Sequence, residues 1–189
     1  MNKTRKILRS LVVLGAVGAI GTAGAFSAFS SQTENPGNQI TAGTVDIADN
    51  DAGGALYGLS AAKPNDPKEN CIEVSYSGSL KADVKLYRVA GALGALAPYT
   101  NVTVEYGTQA SASFPSCTGF NAAGTLYDGD LNGVATTYAA GYAATPGSDG
   151  SWDSGDKLVY RVTVSIDDDA AAEGLTTGAH SLRWEARNQ

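Results

Sequence analysis

The chain has 189 residues, of which 43% are hydrophobic and 17% charged, enough for one β-domain or for two small domains. Its 13 Lys and Arg stand against 19 Asp and Glu, and this net charge of −6 argues against a nucleic acid as the main partner, because phosphate binding needs a basic surface. One His and two Cys are too few for a structural zinc site with four such ligands.

The N-terminal segment, residues 1–28, has the pattern of a secretory signal peptide. It begins with a basic stretch that contains no acid, formed by Lys3, Arg5, Lys6 and Arg9. Residues 11–26 are uncharged and rich in Leu, Val, Ala and Gly, and small residues follow them. A membrane anchor is the alternative, but a spanning helix needs about 20 clearly apolar residues, and four glycines dilute this stretch.

Two cleavage positions fit the signal pattern. Cleavage after Ala25 satisfies the A-x-A rule together with Ala23, and cleavage after Ala28 is the other candidate. Removal of residues 1–28 takes away four of the 13 basic residues and none of the 19 acidic ones, so the mature chain has a net charge of −10. We therefore expect an acidic secreted protein that is not held in the membrane after cleavage.

If the chain is exported, its two cysteines are expected to be oxidised. In an oxidising compartment, Cys71 and Cys117 are predicted to form a disulfide, with two free thiols as the alternative. Their spacing excludes a CxxC redox pair.

The mature chain alternates apolar and polar residues with the period of two that is typical of β-strands. The runs, in chain order, centre on Ile72, Val74 and Tyr76; Val84 and Leu86; Val102, Val104 and Tyr106; Leu158, Tyr160, Val162, Val164 and Ile166; and His180, Leu182, Trp184 and Ala186. Residues 40–47 are a weaker candidate, and residues 126–131 and 170–174 are predicted as short helical turns. Clusters of Gly, Asn, Asp, Ser and Pro separate the runs, which predicts an all-β antiparallel sandwich.

Both ends of the chain carry motifs of a known family. Residues 6–47 read KILRSLVVLGAVGAIGTAGAFSAFSSQTENPGNQITAGTVDI, and the shared elements are the Gly/Ala-rich apolar region, AFSAFS and TAGTVDI. Near the other end, WDSGDKLVYRVTVSI at residues 152–166 is followed by HSLRWEARNQ at residues 180–189. In these features the chain resembles the TasA/camelysin-type secreted matrix proteins, whose signal peptide is cleaved by the signal peptidase SipW.

The resemblance implies a fold, a location and a function. Cleavage would follow Ala28 and make Phe29 the first mature residue. Residues 29–189 would form a single jelly-roll-like β-sandwich, a secreted structural subunit of extracellular or cell-surface fibres such as those of a biofilm matrix. Its partners would be further copies of itself or other matrix subunits, and the signal peptidase during export. The chain departs from better-known members by having Cys71 and Cys117 and by lacking their Lys-rich character.

In fibres of this family, an N-terminal strand of one subunit completes the sheet of the next, and residues 29–47 are the corresponding arm. The apolar candidates for strand donation in this arm are Phe29, Ile40, Val45 and Ile47. Pro36 has no N–H and would interrupt a ladder, so pairing is expected on one side of it. An ordinary first strand packed on its own domain is the alternative, and the sequence leaves both open.

The sequence favours a protein that is not an enzyme and that has no cofactor. It contains neither HExxH nor a GxSxG elbow, and its single histidine, His180, is in phase with Leu182 and Trp184, which predicts a structural role. A monomeric secreted module that binds cell-wall glycan or a surface protein is the alternative function, since nine tyrosines suit such contacts.

Three acidic clusters raise the question of calcium. They are Asp46, Asp49 and Asp51; Asp128 and Asp130; and residues 167–169. None matches the spacing of an EF-hand loop, and Asp is a common turn residue, so solvated turns are the favoured interpretation. Weak calcium binding stays open at this point.

We expect protein recovered from culture supernatant to begin at Phe29, or as the second choice at Phe26, because the signal pattern ends there. Mass spectrometry of the N-terminal peptide measures this. Membrane-bound protein that retains Met1 would contradict the signal-peptide interpretation.

Overall fold

The computed structural model describes residues 39–189. Within this range Ala42–Gln189 forms a compact unit, and only residues 39–41 of the preceding unit, Met1–Thr41, are described. The predicted signal peptide, its cleavage positions at Ala25 and Ala28, and Phe29 lie outside the described residues. Between residues 39 and 189, no helix has the length and apolar content needed to cross a bilayer.

The described part is built from eight β-strands and three 3-10 turns. The strands are β1 (Ile47–Asp49), β2 (Lys68–Tyr76), β3 (Ala82–Arg88), β4 (Thr100–Gln109), β5 (Phe120–Asp130), β6 (Tyr142–Ala143), β7 (Lys157–Ile166) and β8 (Leu182–Asn188). The 3-10 turns are Ala97–Tyr99, Leu131–Gly133 and Ala170–Ala172.

The strands form two antiparallel sheets, which confirms the all-β class. One sheet has the order β1-β2-β7-β4-β5 and the other the order β6-β3-β8. In an eight-stranded jelly roll the two sheets have the orders 2-7-4-5 and 1-8-3-6, so this chain follows jelly-roll connectivity except at its first strand. Here β1 pairs with β2 rather than with β8. Among the described residues, β8 therefore has a neighbouring strand on one side only.

The core lies between the two sheets and follows the alternation in the sequence. Val74 projects from one sheet and Val84 and Leu86 from the other, and each of these side chains is almost fully buried. Trp152, which is 0% exposed, closes this core, and its indole Nε1 donates to the carbonyl of Ala144 at 2.8 Å. Each Å² of apolar surface removed from water contributes about 25 cal/mol, so this interior is the main source of stability.

Two predictions about local structure need correction. The helical turn predicted over residues 126–131 is wrong for residues 126–130, which belong to β5, and a 3-10 turn begins only at Leu131. Asp128 and Asp130, predicted in a loop, therefore lie in a strand. The sequence does not predict β5, because this edge strand contains many Gly and Ala residues and two register shifts that break the alternation. Its extended conformation is held by the ladder with β4 rather than by local propensity. The predicted turn at residues 170–174 is confirmed over Ala170–Ala172.

The predicted disulfide between Cys71 and Cys117 is confirmed, with Cα atoms 5.0 Å apart. It joins β2 to the loop between β4 and β5. The backbone N–H of Cys71 donates to the carbonyl of Pro115 at 3.0 Å, so this loop covers the part of the β2 edge that β1 does not reach. The bond therefore fastens a long hairpin over an edge that would otherwise be open.

Replacement of both Cys71 and Cys117 by Ala should lower the free energy of unfolding by about 2–5 kcal/mol, because the unfolded chain is no longer cross-linked and the β4–β5 loop loses its anchor. Denaturant titration of the purified protein, with and without reductant, measures this. Equal midpoints for the oxidised and reduced protein would contradict a stabilising role.

Candidate functional site

A groove of about 1560 Å³ lies on the side of the sandwich where β8 ends its sheet. Its floor includes Ile72 and Val164 from the larger sheet, and β8 forms one wall with Leu182 and Trp184. The groove exists because the larger sheet extends through β2 to β1 while the smaller sheet stops at β8. It is thus the space beside the last strand of the smaller sheet.

The outer side of β8, called here the open edge, presents unpaired backbone groups. The N–H of Val89 donates to the carbonyl of Ser181, and the N–H of Gln189 donates to that of Lys81, so odd-numbered residues of this segment bond to the β3 side. In an antiparallel ladder the direction of these groups alternates along the strand. The N–H and C=O groups that face the open edge are therefore those of Leu182, Trp184, Ala186 and Asn188.

The side chains next to the open edge are apolar and half-buried. Leu182, Trp184 and Ala186 pack against the core from its margin. The ring of Trp184 meets that of Tyr160 edge-on, with centroids 5.3 Å apart, and burial raises the pKa of Tyr160. The Trp184 side chain approaches Tyr160 closely enough to oppose the rise in its pKa, but its buried Nε1 makes no hydrogen bond of good geometry among the described residues. An unpartnered indole N–H is a cost that an arriving carbonyl would remove.

The rim of the groove is acidic. Five carboxylates line the groove, from the β1 side and from the loop before β8: Asp49, Asp51, Asp168, Asp169 and Glu173. Among the described lining residues, Arg183 is the only Lys or Arg. These carboxylates cap local turns: Asp51 accepts from the N–H of Gly53, and Asp169 from that of Ala171. Within residues 39–189 no group of His, Cys, Asp and Glu is arranged to hold a metal ion.

A hydrogen bond joins two loops at the groove. The hydroxyl of Tyr57 lies 2.7 Å from Nε2 of His180, and Nδ1 of His180 lies 3.1 Å from the carbonyl of Gly178. Burial raises the pKa of Tyr57 to about 12, while the nearby positive charge of Arg88 acts in the opposite direction. His180 precedes β8 rather than lying within it, and its partners are a phenol and a carbonyl. This geometry fastens the loop around Tyr57 to the segment that leads into β8.

The arm residues predicted for strand donation are distributed over two environments. Phe29 lies outside the described residues, and Ile40 is 99% exposed. Val45 is 39% exposed, and Ile47 lies in β1, opposite Tyr76 of β2. The carbonyls of Thr44 and Asp46 accept backbone hydrogen bonds from Leu80 and Ser77. The end of the predicted arm, from residue 44 onward, is therefore a first strand of its own domain.

In the monomeric protein, we expect the amide protons of Leu182, Trp184 and Ala186 to exchange with solvent much faster than those of Arg183, Glu185 and Arg187, because only the latter point toward β3. NMR-detected hydrogen exchange resolves the two sets. Uniform protection along β8 would mean that another segment covers the open edge.

The sequence singles out residues 29–47 as a predicted arm, but it does not indicate the groove. The alternation along residues 180–186 predicts a strand, yet nothing in it indicates that the strand lies at an edge. The sequence also gives no sign that Tyr57 and Arg88 lie near the groove, because Tyr57 belongs to a loop and Arg88 ends β3. No protein-family model and no curated protein matches the chain, so its function is inferred from the groove, the open edge and the sequence of the arm.

Proposed function

We propose that the protein is a secreted structural subunit of extracellular fibres, and that each subunit receives the N-terminal arm of another copy in the groove beside β8. The observation that carries this proposal is the open edge of β8 above an apolar groove, at the position that the first strand occupies in a complete jelly roll. Strand addition to such an edge supplies main-chain hydrogen bonds, and the groove supplies side-chain contacts.

The length of the arm fits this role. Residues 29–35 precede Pro36 and number seven, as do the residues of β8, and Pro36 ends the stretch that can donate to a ladder without interruption. Residues 36–43 then form a spacer before Thr44, which is bound to its own domain. A spacer of this length spans up to roughly 26 Å when extended, enough to reach a neighbouring subunit.

Export and assembly are linked in this proposal. While the signal peptide is attached, the donated strand continues into residues 1–28, and cleavage before Phe29 gives it a free end. The same processing makes the chain more acidic, from −6 to −10, so separate subunits repel each other at long range and associate through the apolar groove. The signal peptidase is the partner during export, and other copies of the chain are the partners afterwards.

Polymerisation should need both the arm and the open edge. Deletion of residues 29–41 removes the donor and leaves residues 44–49 to pair with their own domain. Ala186→Pro removes an N–H that faces the open edge but none that bonds to β3, and edge strands accept proline in that position. We expect each variant alone to remain monomeric, as measured by light scattering and electron microscopy, while the wild-type mature protein forms fibres.

A mixture of the two variants provides the decisive control. One carries an acceptor without a donor and the other a donor without an acceptor, so together they should form a one-to-one heterodimer that grows no further. Fibres from either variant alone would contradict strand donation. A wild-type protein that stays monomeric at high concentration, with its arm protected from proteolysis, would favour the monomeric binding module instead.

A further inference from the structure

The groove is closed at one end by a part of the same chain. Most of residues 55–62, in the loop between β1 and β2 and called here the latch segment, line the groove. Leu56 and Tyr57 are half-buried and pack against the core. The carbonyl of Leu56 accepts a hydrogen bond from the side chain of Asn70 on β2, and the hydroxyl of Tyr57 bonds to His180 ahead of β8. The latch segment therefore bridges the gap between the two sheets.

This bridge lies at the end of β8 where a strand added to the open edge would finish. His180 lies two residues before Leu182, the first residue of β8, and its ring centroid is 5.5 Å from that of Tyr57. Pairing along the whole of β8 would bring an incoming backbone to Leu182, with alternate side chains pointing into the groove beside Leu56 and Tyr57. The latch segment and a full-length strand therefore compete for this end of the groove.

The latch segment has few attachments to the rest of the domain. Within residues 55–62, the bonds from Asn70 to Leu56 and between Tyr57 and His180 are the hydrogen bonds that reach other described residues, and neither uses a backbone N–H of the segment. The side chain of Leu59 is 41% exposed. A segment without a backbone ladder and with little buried apolar surface opens at a low cost in free energy.

The backbone of this loop is also strained on both sides of Tyr57. Among residues 39–189, the non-glycine residues with positive φ are Ala52 at 53°, Ala61 at 52° and Asn65 at 57°, and all three belong to the loop between β1 and β2. Residues with a Cβ are unfavourable in the left-handed region, alanine more so than asparagine. The closed loop therefore carries a local cost that an open loop avoids.

Resting on the proposed function, we infer that the latch segment closes the groove in the free subunit and is displaced by the arm of another copy, so that it regulates assembly. A subunit whose latch segment is closed cannot pair along the full length of β8. The apparent affinity for the arm is then lowered by the fraction of subunits that are open. The bond between Tyr57 and His180 thus opposes polymerisation, although it lies at the site where subunits join.

The critical concentration for polymerisation of the full mature chain tests this inference. Tyr57→Phe keeps the ring and removes the hydroxyl, and His180→Phe removes the same hydrogen bond from the other side. We expect each change to lower the critical concentration by roughly threefold to tenfold, because loss of one hydrogen bond raises the open fraction by about that factor. The double variant should lower it no further than the more effective single change.

Tyr138→Phe is the matched control. It removes a tyrosine hydroxyl that donates to the carbonyl of Asp83 at 2.9 Å, and Tyr138 does not belong to the lining of the groove. The critical concentration should stay at the wild-type value. A merely structural role for Tyr57 and His180 predicts the opposite sign for their variants, because a damaged acceptor binds the arm more weakly and raises the critical concentration.

Digestion with chymotrypsin gives a second readout of displacement. Tyr57 is half-buried in the free subunit, so we expect cleavage after Tyr57 to be faster in wild-type fibres than in wild-type monomers, whereas assembly protects the sites that it covers. Slower cleavage after Tyr57 in the fibres would overturn the displacement of the latch segment.

The outcomes also distinguish this inference from the proposed function. If Tyr57→Phe and His180→Phe polymerise at or above the wild-type critical concentration, the latch is wrong while strand donation stands. If the wild-type protein forms no polymer, both are wrong.

Discussion

The backbone ladder between β3 and β8 is the interaction on which the groove depends. β8 has no second neighbour among residues 39–189, so its position rests on that ladder and on the contacts of Leu182, Trp184 and Ala186 with the core. The C-terminal residue extends the ladder: the backbone N–H of Gln189 bonds to Lys81, and its side-chain amide donates to Asp83 at 2.9 Å. One wall of the groove is thus a single strand held from one side.

The edges of the two sheets differ in how they are covered or distorted. The outer edge of β2 is covered by β1 and by the loop that the disulfide fastens. The edge strand β5 is bent by two register shifts, a common way to discourage pairing with other chains. β8 contains no proline or register shift, and its charged residues alternate with the apolar ones that border the groove. The remaining edge strands, β1 and β6, have only three and two residues, so β8 is the long edge strand without a register shift, and it adjoins an apolar groove. This is the combination that strand addition requires.

The sequence was sufficient for the features that depend on local periodicity or on a single pair of residues. Five strands follow from apolar residues at every second position, and the disulfide follows from two cysteines in a chain whose N-terminal pattern predicts export. β5 and β6 could not be predicted, because one is held by its partner strand and the other has only two residues. The groove could not be predicted because it arises from strand order: it depends on β1 lying beside β2 rather than β8, a choice made by tertiary contacts.

In the proposed fibre, where each subunit would carry tension between its arm and β8, the disulfide has a mechanical consequence. Force applied through the arm reaches the domain at Thr44 and then at β1, a strand of only three residues that is paired with β2. Beyond β2, the chain between Cys71 and Cys117 is closed into a covalent loop with a sequence separation of 46. That loop cannot be drawn out, which removes roughly 150 Å from the length to which a pulled subunit can stretch. The cross-link would thus limit the extensibility of a fibre even where it adds nothing to the contact between subunits.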